Sequence, residues 1–577
     1  MSRPVSLTDN PLLKTALSGG RSRFLMGVLA LGFLGLMGRA AYLQIWTTDK
    51  LQKEGDARYS RTMELPASRG KILDRHGVIL ASSLPAKAIW IVPDQVDATP
   101  KQMTELARLL NMPLSDLKKK IAQDEKSFVY IKRQVEPEVS EKVAALNIAG
   151  VYLRKEFKRH YPEGESAAHV VGFTNVEDKG QEGFELSREK TLAGKLGSRR
   201  VIKDRLGRVI ESVDAVNEPH DGSDLSLSID SKVQYLAFAA VRDAVREHKA
   251  KAGAAVVMDT QTGEILALAN WPTYNPNARG QLSGAQLRNR VITDTFEPGS
   301  TMKPFTAGMA LESGKFSAAT PIQTAPGKVT IGSATIHDAH AHGVLTVEEV
   351  IQKSSNVGTV FMAMKFERQH MWDMFTQLGF GQAPQMGFPG AVAGRVRPAK
   401  SWRPIEQATM SYGHGISVSL IQMARAYTVF ARDGDLIPAS LLKTDAPAAG
   451  VPVFSPKTAK AVRKMLEMAA GPSGTAPLAQ IKDYRVAGKT GTAHKQEDGK
   501  YVNKYVASFV GFAPASNPRL VVAVMIDEPN AGKYYAGDVA APVFSRLMGE
   551  SLRSLRVTPD STGANVMAPA NPVKESL

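Results

Sequence analysis

The chain has 577 residues, of which 43% are hydrophobic and 22% are charged. A chain of this length usually forms more than one hydrophobic core, so we expect several domains. The composition is that of a folded globular protein. There is no cysteine, which excludes structural disulfides and thiol catalysis. The net charge of +16 is spread along the chain without a nucleic-acid-binding motif, so we predict no nucleic-acid partner; an anionic wall or membrane fits this charge.

An apolar segment near the N-terminus predicts a membrane anchor. Residues 24–43 are mostly apolar over about one bilayer's length, and Arg39 is the only charge among them. Because four basic residues and one acid precede this segment, the positive-inside bias predicts a cytoplasmic tail over 1–23 and an anchor over 24–46. The alternative is a cleaved signal peptide. Its small-residue cleavage site would contain Arg39, which favours an uncleaved anchor.

Residues 47–224 predict a separate folded region without catalytic spacing. Short apolar runs at 78–81 and 88–92 are typical of strands, whereas 103–110 and 114–122 have helical periodicity with a polar outer face. We interpret this region as a mixed α/β pedestal. It would hold a catalytic domain away from the membrane and offer surface to partners.

Residues 225–556 predict an α+β domain with an antiparallel sheet flanked by helices. Apolar runs at 254–258 and 265–269, joined by turn residues, predict a hairpin, and helical segments follow it. Three more strands are predicted, over 484–492, 506–514 and 520–526. Strands at both ends indicate a chain that leaves the sheet, builds helices on its faces and returns. The last segment, 557–577, is rich in Ala, Pro, Asn and Ser and is predicted to be disordered.

Ser300 and Lys303 form the first candidate catalytic pair. Pro298 and Gly299 break the preceding structure and an apolar run with helical spacing follows, so a helix is predicted to begin at about Ser300. Pro304 is tolerated in the first turn of such a helix. Ser300 and Lys303 then share one face, where an amine can reach a hydroxyl. The spacing alone is weak evidence. It recurs at Ser68, Ser115, Ser187 and Ser440.

Two later motifs distinguish Ser300 from those other serines. Ser354-Ser355-Asn356 is the only Ser-x-Asn in the chain, Lys489-Thr490-Gly491 is its only Lys-Thr-Gly, and they follow Ser300 in that order. The three motifs together resemble the signature of penicillin-binding proteins and serine β-lactamases. The reaction class they indicate is acyl transfer through a serine ester, with Ser300 as the nucleophile.

The side chains predict a role for each catalytic residue. Neutral Lys303 can serve as the general base, and Lys489 is the cation expected to lower its pKa. Ser354 can relay a proton to the leaving amine. Asn356 can hold a substrate amide and fix the neighbouring lysine.

The segment that follows Lys489 is predicted to bind the substrate. Gly491 on a strand would let a substrate backbone lie close. The backbone N–H groups of Ser300 and Thr492 would form the oxyanion hole. The hydroxyls of Thr490 and Thr492, together with Lys489, suit a carboxylate at the end of the substrate.

The resemblance extends over nearly the whole chain apart from the tail. Together with the anchor, several segments resemble class B penicillin-binding proteins, above all those of the septal FtsI type. These segments are 69–75, 297–304, 353–358, 489–493, 531–535 and 541–544. The resemblance implies a penicilloyl-serine-transferase (β-lactamase-like) fold. It also implies a D,D-transpeptidase that takes the D-Ala-D-Ala end of a peptidoglycan stem peptide, releases D-Ala and passes the acyl group to an amine on a neighbouring stem.

The same resemblance implies partners and a place in the cell. Proteins of this family are acylated by β-lactams, need no cofactor, and work with an FtsW-type glycosyltransferase and other divisome proteins at the septum. The expected location is the inner membrane, with a single span, a cytoplasmic N-terminus and a periplasmic catalytic domain. His414 lies where the family pattern has no fixed residue, so no role is predicted for it.

Two local features allow more than one interpretation. Residues 337–342 include three histidines and an aspartate at metal-like spacing, but nothing in the predicted chemistry needs a metal, so we predict no metal site. Tyr534 and Tyr535 could equally wall the pocket of the acceptor amine or cover the core.

Two other functions compete with the transpeptidase. A β-lactamase or D,D-carboxypeptidase must deliver water to the ester, and no Glu-x-x-x-Asn segment follows Asn356 to place a deacylating carboxylate. A membrane-anchored β-lactam sensor, or a scaffold with a dead site, is the other alternative. It is disfavoured because about 23 residues precede the predicted anchor and every polar residue that acylation needs is present.

Overall fold

The computed structural model describes residues 18–50, 60–123, 128–203, 209–280, 282–444 and 446–561. The chain divides into two compact units. The first comprises Met1–Ala67 and Lys195–His220, and the second comprises Ser68–Gly194 and Asp221–Leu577. Most of each terminal tail that the sequence predicts lies outside the described residues.

The first unit contains one apolar helix and a small sheet. Helix Gly19–Ala41 continues into a π-helical turn, Tyr42–Trp46, and together they are apolar enough to cross a membrane, with a mean hydropathy of 1.8. This span includes the predicted anchor, 24–46. The sheet has three antiparallel strands, in the order Ser60–Leu65, Gly197–Lys203 and Val209–Asn217.

The N-terminal part of the second unit is a mixed layer of strands and helices. Its strands are Ile72–Leu73, Ile79–Ile91, Val129–Val135, Val151–His160 and Leu225–Ser226. Its main helices are Pro100–Leu109, Leu114–Ile121 and Pro137–Ala145, and their apolar faces share one core with strands Ile79–Ile91 and Val129–Val135. The helices predicted at 103–110 and 114–122 are therefore confirmed.

One strand prediction in this layer is wrong. The sequence predicts two strands, at 78–81 and 88–92, whereas the structure has one strand of 13 residues, Ile79–Ile91. Polar residues and Pro85 interrupt the apolar pattern between the two runs. Pairing with Val151–His160 nevertheless continues across the interruption. The long strand is thus stabilised by its partner rather than by its own pattern.

Residues 69–75 are held by buried polar contacts. Arg69 and Arg159 both bind the fully buried carboxylate of Glu185, the second at 2.7 Å. Asp74 accepts hydrogen bonds from the backbone N–H and the hydroxyl of Ser231, where helix Ser231–Glu247 begins. The segment therefore joins the N-terminal layer to a helix that covers the central sheet.

The central sheet of the second unit has five strands, all antiparallel. Their order is Ile265–Trp271, Ala252–Asp259, Leu520–Asp527, Lys500–Ala513 and Ala487–Glu497. This confirms the predicted hairpin, the three later strands and the α+β class. Strand Ala487–Glu497, which we call the lysine strand, lies at one edge and carries Lys489.

Helices cover both faces of this sheet. Successive residues of a strand point to opposite faces, and in Ala252–Asp259 the residues Val256 and Val257 belong to different apolar clusters. Helices Ser231–Glu247 and Ala541–Ser554 supply one cluster. Helices Lys303–Glu312 and Leu420–Ala431 supply the other.

Shorter elements connect these layers. Further α-helices among the described residues include Ala168–Val171, Gly183–Ser187, Glu189–Leu192, Gly284–Leu287, Arg290–Thr293, Val347–Lys353, Asn356–Ala363, Arg368–Gln377, Pro404–Met410, Pro456–Ala470 and Ala536–Val539. The small antiparallel pairs are Thr295–Phe296 with Val418–Ser419, Pro321–Gln323 with Val344–Thr346, Lys328–Ile331 with Ala334–His337, and Asp435–Leu436 with Val451–Pro452.

Candidate active site

Ser300 lies in a 3-10 turn at the front of a buried helix. This turn, Gly299–Met302, which we call the serine turn, leads directly into helix Lys303–Glu312. The predicted helix start at about Ser300 is therefore confirmed. Gly299 has a φ of +54°, a conformation that favours glycine, and Pro304 occupies the first turn of the helix. Ser300 is only 4% exposed.

Lys303 and Ser354 are brought together from separate helices. The Lys303 side chain is completely buried, and its Nζ donates to the Ser354 Oγ at 3.0 Å and to the Ser354 carbonyl oxygen. Ser354 ends helix Val347–Lys353 with a φ of +59°. This left-handed conformation costs a non-glycine residue about 1–3 kcal/mol. The strained turn is what directs both oxygens of Ser354 to the amine.

Asn356 is buried at the start of helix Asn356–Ala363. Its Nδ2 donates to the carbonyl oxygen of His337 at 3.0 Å. Its Oδ1 is buried and has no hydrogen-bond partner among the described residues. A buried acceptor without a donor is costly, so this atom suits a donor that arrives with the substrate. The sequence also predicted that Asn356 would hold a neighbouring lysine, but its amide makes no hydrogen bond to a lysine among the described residues.

Asp338 positions the Ser354-Ser355-Asn356 segment, and the sequence did not predict this role. Its carboxylate accepts hydrogen bonds from the Ser355 hydroxyl at 2.6 Å and from the backbone N–H groups of Asn356 at 2.5 Å and Val357 at 3.0 Å. An acid at a helix start is favourable because the unpaired N–H groups carry partial positive charge. The sequence grouped Asp338 with histidines at metal-like spacing. Among the described residues no cluster of three or more acids and histidines could hold a metal.

Replacing Asp338 by asparagine is expected to slow acylation by penicillin about tenfold. A hydrogen bond to a charged group is worth about 1.5–3 kcal/mol, and the amide offers one acceptor oxygen where the carboxylate serves three donors. The measurement is the second-order rate constant of acylation, with thermal unfolding followed in parallel. Asp373→Asn is the matched control, since Asp373 is exposed and contacts Gln369. An unchanged rate in Asp338→Asn would show that the segment holds its own geometry.

Lys489 is completely buried and contacts two threonine hydroxyls. Its Nζ donates to the Oγ1 of Thr490 at 3.2 Å and to the Oγ1 of Thr475 at 3.4 Å. The two hydroxyl oxygens are 2.9 Å apart. Sequence reasoning missed Thr475, since nothing in its local pattern connects it to residues 14 or 15 positions later. The three side chains form one polar cluster.

Position 491 requires glycine because another segment of the same chain packs closely against it. A Cβ at this position would lie 2.5 Å from the carbonyl oxygen of Pro298 and 2.9 Å from the Cγ2 of Thr301. The missing side chain therefore lets the serine turn pack against the lysine strand. This close approach is between two parts of the chain, whereas the sequence predicted an approach of the substrate backbone.

Tyr534 and Tyr535 form an aromatic wall beside Thr492. Tyr534 stacks on Tyr505 with ring centres 4.2 Å apart, and Tyr535 lies 4.6 Å from Tyr534. The backbone N–H of Ala536 donates to the Oγ1 of Thr492 at 3.0 Å. Both tyrosines are half-buried, so each has a surface that a ligand can reach.

His414 lies near the catalytic groups. Burial lowers the pKa of His414 to about 4. The imidazole is therefore uncharged at neutral pH. Its loop is adjacent to the serine turn, because the backbone N–H of Gly299 donates to the carbonyl oxygen of Gly413 at 3.3 Å.

Comparison with known protein families agrees with this geometry. The model described as the penicillin binding protein transpeptidase domain matches residues 253–549, and the model of the penicillin-binding protein dimerisation domain matches residues 64–227. The chain belongs to the penicillin-binding protein family. More specifically, it is a class B member of the FtsI type.

Relatives of this penicillin-binding protein cover nearly its full length. It is 44% identical to the probable peptidoglycan D,D-transpeptidase PenA of Neisseria meningitidis, over 97% of this chain and 98% of the relative. It is 41% identical to the peptidoglycan D,D-transpeptidase FtsI of Escherichia coli, over 94% and 93%. Both relatives thus align with the pedestal region as well as the catalytic region.

Solved structures support the same fold. The transpeptidase domain of Burkholderia pseudomallei penicillin-binding protein 3 is 51% identical, covers 58% of this chain and 98% of its own, and has a TM-score of 0.55. A peptidoglycan synthetase from Bifidobacterium adolescentis is 27% identical, covers 89% of this chain and 100% of its own, and has a TM-score of 0.68.

Proposed function

We propose that this penicillin-binding protein is a septal peptidoglycan D,D-transpeptidase that crosslinks stem peptides through an acyl-serine intermediate. One observation carries the proposal: the serine turn packs against the lysine strand at Gly491, while buried Lys303 beside it bonds to Ser354. In this proposal residues 225–556 are the catalytic domain and residues 47–224 are the pedestal.

Acylation begins when the Ser300 hydroxyl attacks the carbonyl carbon of the penultimate D-Ala. Lys303 accepts the hydroxyl proton. As the peptide C–N bond breaks, Ser354 relays a proton from Lys303 to the nitrogen of the departing D-Ala. The distance of 3.0 Å between the Lys303 Nζ and the Ser354 Oγ supports this relay.

The oxyanion is bound by the backbone N–H groups of Ser300 and Thr492. Such donors act on the charge that develops in the transition state, and losing one usually costs about 10²–10³ in kcat. The nearness of the two segments supports this pair: a Cβ on Gly299 would lie 3.4 Å from the Thr492 carbonyl oxygen.

Lys489 and the threonines beside it bind the terminal carboxylate of the donor peptide. The carboxylate would take its place among the Nζ of Lys489 and the hydroxyls of Thr490 and Thr492, with Thr475 holding Thr490. Charge-assisted hydrogen bonds of this kind are about twice as strong as neutral ones. The buried Oδ1 of Asn356 accepts an amide N–H of the donor.

Deacylation transfers the acyl group to an amine. The acceptor amine attacks the ester carbonyl, a new amide bond forms as the ester C–O bond breaks, and the proton lost by the amine returns to the Ser300 oxygen through Lys303. We place the acceptor beside Tyr534 and Tyr535, since both rings are partly exposed at the end of the site. β-Lactams react at Ser300 in the same first step.

The proposed location is the inner membrane, with residues 1–23 in the cytoplasm and the catalytic domain in the periplasm. The proposed partners are an FtsW-type glycosyltransferase and other divisome proteins. The apolar helix Gly19–Trp46 supports a single span. The FtsI-type family membership supports the septal partners.

The test uses full-length protein in detergent, with two measurements on one preparation. Intact-mass analysis after penicillin treatment should show one adduct that is stable for hours. Incubation with donor and acceptor stem peptides should give a crosslinked dimer and free D-Ala. Hydrolysed donor without dimer would favour a carboxypeptidase, and an adduct lost within seconds would favour a β-lactamase. A stable adduct without any peptide product would favour a sensor.

The proposed anchor predicts how the protein fractionates. Because 28 apolar-rich residues, Gly19–Trp46, can span a bilayer, the protein should stay in the membrane fraction after a high-salt wash and have its full-length mass. A high-salt wash removes proteins that are bound to the membrane by charge alone, so it distinguishes electrostatic binding from a membrane-spanning helix. A shortened, soluble product would instead indicate a cleaved signal peptide.

A further inference from the structure

A basic pocket lies next to the aromatic wall of the candidate active site. It is an open cavity of about 630 Å³ between strand Lys500–Ala513 and the segments around residues 250 and 530. Four lysines contribute to its lining: Lys249, Lys251, Lys504 and Lys533. We call this cavity the lysine pocket.

The charge of the lysine pocket is only partly neutralised. Glu528 is the one acid in the lining, and it bonds to Lys251 at 2.9 Å and to Lys495 at 2.6 Å. Burial would raise the pKa of Glu528, but these two lysines lower it to about 2, so Glu528 is ionised beside them at neutral pH. Lys249 and Lys533 have no ion-pair partner among the described residues, and both are exposed. The pocket therefore keeps an excess of positive charge.

The lysine pocket adjoins the reaction site through two aromatic rings. Tyr505 and Tyr534, which stack on each other at 4.2 Å, line it. Tyr535 packs on Tyr534, and the next residue, Ala536, bonds to Thr492 of the lysine strand. The tyrosines and Ala536 therefore connect the lysine pocket to the lysine strand at Thr492.

We propose that the lysine pocket binds the free carboxylates of the acceptor stem peptide. The inference deepens the proposed function and rests on it. A transpeptidase binds two acidic peptides, and Lys489 is already assigned to the carboxylate of the donor, so the acceptor needs other cations. Lysine is a flexible point charge that accommodates carboxylates in several positions. The excess positive charge also attracts an anionic peptide from a distance.

The direct test is the affinity of a labelled acceptor peptide for the penicillin-acylated full-length protein. The adduct occupies the donor site, and fluorescence anisotropy then reports acceptor binding without turnover. Two peptides are compared: one with free carboxylates, and the same peptide with those carboxylates amidated. The variant is Lys249→Gln with Lys533→Gln. The matched control is Lys400→Gln with Lys457→Gln, which removes two exposed lysines elsewhere.

The double variant is expected to weaken binding of the free-carboxylate peptide about fivefold or more. Each exposed charge pair contributes modestly to the binding free energy, and the contributions of the two lysines add. Binding of the amidated peptide should not change, and the Lys400/Lys457 control should bind like the wild type. Higher salt should weaken only the free-carboxylate peptide.

Two results would overturn the inference. Equal affinity of the double variant and the wild type for the free-carboxylate peptide would exclude the pocket as its site. An equal loss for both peptides would mean that the substitutions alter the shape of the surface rather than carboxylate recognition. Failure of the wild type to crosslink stem peptides would count against the proposed function alone, since this binding is measured without turnover.

Discussion

Replacing Ser300 by alanine is expected to abolish covalent labelling by penicillin. In the proposed function Ser300 supplies the oxygen of the ester, and alanine has no nucleophilic atom. The other hydroxyl of the serine turn is already engaged, because Thr301 donates to the carbonyl oxygen of Pro298 at 2.7 Å. Intact-mass analysis of the full-length variant should therefore show no added penicilloyl mass, even after hours.

A second serine provides the matched control for this experiment. Ser115 is also followed by a lysine three residues later, but it lies on the exposed face of helix Leu114–Ile121. Ser115→Ala should be labelled like the wild type. Labelling of Ser300→Ala at a comparable rate would refute the assignment of the nucleophile, and the labelled peptide would identify the true one.

Replacing Lys303 by glutamine is expected to lower the rate constant of penicillin acylation about 10²- to 10⁴-fold, the usual contribution of a general base. Glutamine is one atom shorter and keeps an N–H donor in place of the Lys303 Nζ, but it cannot accept the proton of Ser300. The rate constant is obtained from the time course of labelling with a fluorescent penicillin, which is followed until the wild type is fully labelled.

The pH dependence separates loss of a base from loss of packing. The wild-type rate should fall as the pH is lowered and the base becomes protonated, whereas the small residual rate of Lys303→Gln should lack that fall. Lys315→Gln, an exposed lysine beyond the end of the same helix, should behave like the wild type. A loss smaller than about tenfold in Lys303→Gln would mean that another group accepts the proton.

The central sheet could be predicted from the sequence because its strands are buried on both faces. Strands Ala252–Asp259 and Leu520–Asp527 are continuous apolar runs bounded by turn residues, and all their residues are buried. Strand Ile79–Ile91 could not be predicted as one element. Its apolar pattern is interrupted, and only the pairing with Val151–His160 makes it continuous.

The sequence also predicted where the serine turn begins but not what it packs against. Pro298 and Gly299 are local signals, and the helix after them follows from its own spacing. Position 491 requires glycine because the serine turn, which lies almost 200 positions earlier in the chain, packs against it. No periodicity or turn signal reports an approach of that kind.

By itself the sequence determined the anchor-like helix, the α+β class and the identity of the motif residues. These depend on composition, on periodicity over neighbouring residues and on motif order. Only the tertiary structure decided that Asp338 holds the segment with Asn356 and that Thr475 completes the cluster at Lys489. These contacts join residues 14 to 18 positions apart through loops, and their geometry is set by the packing of separate helices and strands around the sheet.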